Sequence, residues 1–125
     1  MKTAEATMTI QEIATRLTEY CRAGNYTAAQ EELFSEDAES LEPAHAQGIQ
    51  SVKGRDAIIA KGKQFQSSVE EIHGGSVSEP IVAGNHFATA LVIDATMKGM
   101  ARSTMEELCV YEVKDGKIVK EQFFY

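Results

Sequence analysis

Near Val69 the hydrophobic pattern of this chain changes period, and that change excludes most architectures. Before it, apolar residues recur every three or four positions; after it, they alternate. Helical segments followed by a run of strands make an α+β chain whose sheet is mostly antiparallel.

The helical part begins at Thr9, which with Glu12 forms a T-x-x-E capping box. Ile10, Ile13, Leu17, Tyr20 and Cys21 then recur at helical spacing until Gly24 stops the run. Asn25 can cap a short second helix reaching about Phe34, with Tyr26, Ala29 and Leu33 inward. A strand over 38–41 follows, ended by Glu42-Pro43, and 44–53 reads as loop. A third helix is expected over about 55–68 on Ile58, Gly62, Phe65 and Val69, with close packing as the reason for its glycine.

In the alternating part, His73-Gly74-Gly75 and Pro80 predict a bulged or bent strand. Two long strands are expected over 85–98 and 102–114, separated by Gly99. Phe87, Leu91, Ile93, Ala95 and Met97 share one face of the first; Met105, Glu107, Cys109, Tyr111 and Val113 share one face of the second. The chain ends in a hairpin, DGKIVKEQFFY. A two-residue Asp115-Gly116 loop pairs Val113 with Ile118 and sets an apolar face against Lys120 and Gln122. A three-residue loop, Lys114-Asp115-Gly116, pairs Val113 with Lys117, Tyr111 with Val119 and Cys109 with Glu121, which matches the faces. That register is the expectation, and it makes Glu107 and Glu121 diagonal neighbours, roughly 7–8 Å apart between backbones.

A length of 125 residues suits one domain, taken as 1–125 with an ordered core over about 9–125. The net charge of −7 argues against a nucleic-acid or anionic-membrane surface, because phosphate binding needs clustered Lys and Arg. Cys21 and Cys109 lie in unlike segments and are read as reduced core thiols. No segment has the length of a membrane span, and the N-terminus has no apolar core of leader length, so a cytoplasmic location is expected. His45, His73 and His86 lack metal-ligand spacing, and neither phosphate-loop nor dinucleotide signatures occur; no metal or cofactor is expected.

Three stretches, FSEDAESLEP (34–43), VKGRDAI (52–58) and VYEVKDGKIVKEQFFY (110–125), give the chain from about Thr9 to Tyr125 a pattern that resembles the nuclear transport factor 2-like cone fold, and within it the SnoaL-like group. The resemblance implies a curved sheet around a conical pocket, with the outer sheet face used for homodimerisation. It leaves function open among isomerases, dehydratases, epoxide hydrolases, cyclases and non-catalytic binders. Glu42 before Pro43 matches the general base of the ketosteroid isomerases of this fold, whereas their oxyanion-hole positions fall on Leu17 and Cys109. Glu107 and Glu121 stand on late strands, where SnoaL-like cyclases place acid/base groups.

Glu42, Glu107 and Glu121 are therefore the candidate catalytic groups, since carboxylates on apolar faces raise each other's pKa and can divide acid and base roles. Leu17, Leu91, Ile93, Cys109, Tyr111, Phe123 and Tyr125 are the candidate ligand-binding residues. A small apolar or carbonyl-bearing ligand, handled without a cofactor, is the leading expectation. A non-catalytic binder or dimeric interaction module is its rival. The second apolar row, with Leu108 and Val110, supports the homodimer.

Overall fold

In the computed structural model, which describes residues 7–125, three helices lie against one curved seven-stranded sheet. The expectation of no leader falls partly on residues 1–6, outside the described residues. The elements are α1 (Ile10–Arg22), α2 (Tyr26–Leu33), β1 (Phe34–Leu41), β2 (Val52–Lys53), α3 (Arg55–Ser67), β3 (Val69–Val77), β4 (Ile81–Ala83), β5 (His86–Met97), β6 (Ser103–Lys114) and β7 (Lys117–Phe124). Strand order is β2-β1-β7-β6-β5-β3, with β4 paired to β5. All pairings are antiparallel except β1 with β7. No helix among the described residues is long and apolar enough to cross a membrane.

The α1 start is as expected. The Thr9 hydroxyl accepts from the Glu12 amide at 3.2 Å and Glu12 accepts from the Thr9 amide at 2.9 Å. Its buried stripe of Ile13, Ala14 and Leu17 packs with Ala29 and Leu33 of α2, Ile58 of α3 and Phe34 and Ala38 of β1. Asn25 occupies the α2 N-cap but makes no side-chain cap bond. Gly62 on α3 faces the Gln30 side chain, which a Cβ would meet at 3.4 Å, so the close approach is to a side chain of α2.

Two boundaries differ from the sequence expectation. β1 starts at Phe34, not at 38, because Phe34 pairs with Ile118 of β7, a non-local contact that local propensity does not register, and the register shifts between Phe34 and Glu39. Val52–Lys53 leaves the expected loop to pair with β1. β3 carries the expected irregularity, with register shifts between Val69 and Glu71 and between Ile72 and Gly74.

The terminal hairpin corrects the expected register. Lys114 pairs with Lys117 and Val113 with Ile118, so the loop has two residues. Asp115 at φ 52° and Gly116 at φ 74° both lie in the left-handed region, as a type I′ turn requires. The face mismatch that argued against this loop is removed one step later by a bulge. Glu112 pairs with Lys120, leaving Val119 as the extra residue, and Tyr111 then faces Glu121 while Cys109 faces Phe123. The apolar faces coincide after all, through a bulge and not through loop length. Glu107 and Glu121 share the concave face but are not diagonal neighbours; the Cys109–Phe123 rung separates them.

Candidate functional site

One end of the concave sheet face is solid. Phe87 and Tyr111 stack at 4.8 Å between ring centroids, and Val113 and Ile118 close the core beside them. Towards the other end the same rows loosen, fully buried Ala95 excepted: Leu91, Ile93, Met105, Glu107 and Phe123 are half-buried, and Tyr125 is exposed. The polar groups gather at this transition.

Parallel pairing of β1 with β7 sets Ser40 opposite Glu121. Both are buried, Ser40 completely and Glu121 with 5% exposure. Burial raises the Glu121 carboxyl to about 7, a rise opposed by a hydrogen bond from Ser40 and by the Lys61 charge and reinforced by Glu42 and Glu107. Glu107, on β6, is raised to about 6, again first by burial and then by Glu42, while the Cys109 thiol and Lys61 pull it down. The Cys109 thiol donates to Glu107 at 3.7 Å. Burial and, after it, the Glu121 charge push the Cys21 thiol up to about 12, which places α1 within electrostatic reach of the same carboxylate. Cys21 and Cys109 are both free thiols.

Glu42, at the end of β1, is engaged on both oxygens. Lys61 Nζ donates to one at 2.8 Å and the Tyr125 hydroxyl donates to the other at 2.8 Å. Lys61 also donates to Ser40 Oγ at 2.6 Å and lies 5.4 Å from the centre of the Phe123 ring. Its side chain is 10% exposed and that of Glu42 5%. His45 meets the Tyr125 ring edge-on at 5.6 Å, placing this loop histidine over the same end of the cone.

Of the candidate residues, the structure brings Glu42, Glu107, Glu121, Cys109, Phe123 and Tyr125 into this cluster. Leu91 packs against the core at its margin and Ile93 lies farther along the same row of β5. Leu17 and Tyr111 are buried core residues. Sequence reasoning missed Lys61 and Ser40. Both had a signal: Lys61 follows Ile58 by three and precedes Phe65 by four, on the inward stripe of α3, and Ser40 follows Ala38 by two on the inward face of β1. Shallow surface depressions occur, one along α1 and one on β5–β6 whose lining includes Leu91 and Glu107 of the site together with Val92, Leu108 and Phe124. Among the described residues no three His, Cys, Asp or Glu side chains gather as metal ligands.

Residues 8–125 match the family model of the SnoaL-like domain. A Mesorhizobium loti protein, described as a candidate SnoaL-like polyketide cyclase and in brackets as a carbohydrate phosphatase, is 38% identical with a TM-score of 0.87; the match covers 94% of this chain and 100% of that one. A nuclear transport factor 2-like protein of unknown function from Burkholderia pseudomallei gives a TM-score of 0.76 at 15% identity, over 94% and 92% of the two chains. A Catenulispora acidiphila protein of ketosteroid-isomerase-like fold, crystallised with trimethylamine, gives 0.72 at 20% identity, over 94% and 87%. No curated protein matches the sequence.

Proposed function

Because the chain belongs to the SnoaL-like domain family, with the nuclear transport factor 2-like fold, we propose that it is a cofactor-independent enzyme that moves a proton on a small, mostly apolar, carbonyl-bearing compound. The observation that carries this reading is the division of labour among three carboxylates at the half-open end of the cone. Glu42 is committed to Lys61 and Tyr125. Glu107 and Glu121 have no ion-pair partner among the described residues and are held near neutrality by burial. A general base works best with a pKa near the working pH, and so does its acid partner. Glu107, the half-buried member of the pair, is assigned the base role, and Glu121, only 5% exposed, the acid role.

The test is hydrogen–deuterium exchange at the α-carbons of cyclohexanone and acetophenone in deuterium oxide, followed by proton NMR. Exchange above the buffer rate, lost in Glu107→Gln, supports the reading. Equal rates with and without protein, together with no chemical-shift change on adding either ketone, would leave the site without this function.

A second copy of the chain is proposed as the partner of the outer sheet face. Leu108 and Phe124, adjacent across the β6–β7 pairing, are 45% and 48% exposed. Large apolar side chains on an open sheet face are the kind of surface an isologous dimer buries. Sedimentation should show a dimer at micromolar concentration, shifted to monomer by Leu108→Glu.

A further inference from the structure

We propose that Lys61 is the electrophile of this site: the ammonium proton that the protein does not use receives the oxygen of the carbonyl ligand and holds the enolate formed on deprotonation. This deepens the proton-transfer reading and rests on it. An ammonium carries three N–H donors and no acceptor. Two are accounted for, one on Ser40 Oγ at 2.6 Å and one on Glu42 Oε2 at 2.8 Å. Among the described residues no acceptor takes the third. Leaving a donor of a largely desolvated cation unpaired is costly, so that proton is the one available to a ligand oxygen.

The position of the ammonium suits the task. Glu42 holds it from one side at 2.8 Å, and the Phe123 ring at 5.4 Å walls it from another. Its field reaches both Glu107 and Glu121. Ser40 accepts from Lys61, which leaves its own hydroxyl proton for Glu121 opposite it. Of the neighbouring donors, the Cys109 thiol goes to Glu107 and the Tyr125 hydroxyl goes to Glu42; the half-buried Tyr26 hydroxyl of α2, within electrostatic reach of Glu107 and Cys109, is a second free donor but brings no positive charge to an enolate oxygen.

The step balances without any further reactant. The Glu107 carboxylate takes the proton from the α-carbon, and the C–H electron pair becomes the carbon–carbon double bond of the enolate. The carbonyl π pair moves onto oxygen, where the Lys61 N–H and charge stabilise it. Protonated Glu121 then gives its proton to carbon, the enolate pair reforms the carbonyl, and exchange with water returns the two carboxyls to their starting states. The ligand is thus a neutral compound with an exposed carbonyl oxygen. A free amine fits poorly, since it would bring a second cation to Lys61.

Para-nitrophenol is the probe, because its phenolate mimics an enolate and its visible absorbance reports ionisation. Wild type should bind it and enrich the bound phenolate about tenfold over the free probe at the same pH. Lys61→Met should abolish the enrichment, and Lys61→Arg should keep part of it. Since Lys61→Met strands the Glu42 charge, Lys61→Met with Glu42→Gln repeats the measurement in a neutralised background. Unchanged enrichment in both methionine variants, or no binding to wild type, would overturn the proposal. Ketone exchange lost in Glu107→Gln but intact in both methionine variants would remove Lys61 from the chemistry and spare the proton-transfer reading. Absent exchange with Lys61-dependent phenolate enrichment would do the reverse, keeping Lys61 as the oxygen holder and discarding the proton transfer.

Discussion

The two ends of the concave face are built from the same strands and obey opposite rules. At the closed end, β5, β6 and β7 contribute Phe87, Thr89, Tyr111, Val113 and Ile118, each exposed by less than a tenth. A few residues along, the same strands contribute Leu91, Ile93, Glu107 and Phe123, all half-buried, and Lys61 leans in from α3 with Ser40 and Glu42 as partners. Glu121 sits on the boundary, deep enough to be desolvated and near enough to the open end to feel Lys61, Glu42 and Glu107. The closed end stores stability; the open end keeps accessible surface and titratable groups. Stability and site chemistry should therefore respond to mutation at different ends.

The largest effect should come from the closed end. Phe87 is 1% exposed and stacked on Tyr111, so Phe87→Ala removes a filled core position with little room to collapse. A loss of about 3–5 kcal/mol is expected in urea unfolding. A loss under about 1 kcal/mol would show that this end is not the core and would remove the contrast altogether.

Next is the boundary residue. The folded protein holds the Glu121 proton with a pKa of about 7 against the ordinary 4.5, so it binds that proton more tightly than the unfolded chain does. Its contribution to stability is full below about pH 4.5 and is lost as pH rises through about 7. Glutamine cannot ionise, so Glu121→Gln should match wild type in acid and become more stable above neutrality, by an amount of the order of 3 kcal/mol. The groups facing this carboxyl are Ser40 and Lys61, which oppose the shift, and Glu42 and Glu107, which reinforce it. Urea melts at several pH values check the curve, together with an NMR titration of the Glu121 carboxyl carbon. A midpoint at or below 4.5 would move Glu121 from the boundary to a paired, solvated position.

The same contrast explains what could be read from the sequence. The closed end was legible because periodicity reports burial: Ile13, Leu17, Ile58, Phe87 and Tyr111 all fall on the rows that alternation and helical spacing select. Glu121 was legible for the converse reason, as a charge interrupting an apolar row. Lys61 was not singled out, because a lysine beside glycine on a polar helix looks solvated until Ser40 and Glu42 arrive from β1, which is distant in sequence. The hairpin register misled for a related reason. Asp115-Gly116 carries the strongest short-range turn signal, but the bulge at Val119 that reconciles it with the apolar faces leaves no local mark.

That turn supplies a smaller test. Gly116 adopts φ 74°, and a Cβ there would run into the Thr7 side chain. Gly116→Val should cost roughly 1–2 kcal/mol, because a β-branched residue is strained at positive φ and Thr7 must shift as well. Gly116→Asn should recover part of the loss, since asparagine tolerates the left-handed region. If valine costs nothing, the turn is not holding the β6–β7 register that sets Glu121 opposite Tyr111.

The smallest stability effect should be at Ile93, which shares its row with Phe87 on β5 but lies six residues along, at the open end. It is half-buried, whereas Phe87 is 1% exposed. Ile93→Ala removes side-chain atoms that water already reaches in part, so the loss should stay below about 1 kcal/mol in urea melts. If the open end is the ligand surface, the same substitution should weaken para-nitrophenol binding several-fold, because it strips apolar wall facing the bound ring. Phe87→Ala, studied under conditions where it remains folded, should change binding less relative to its stability cost. An Ile93→Ala protein as destabilised as Phe87→Ala would mean that the cone is packed along its whole length. One with unaltered stability and unaltered binding would place the ligand surface elsewhere than on this row of β5.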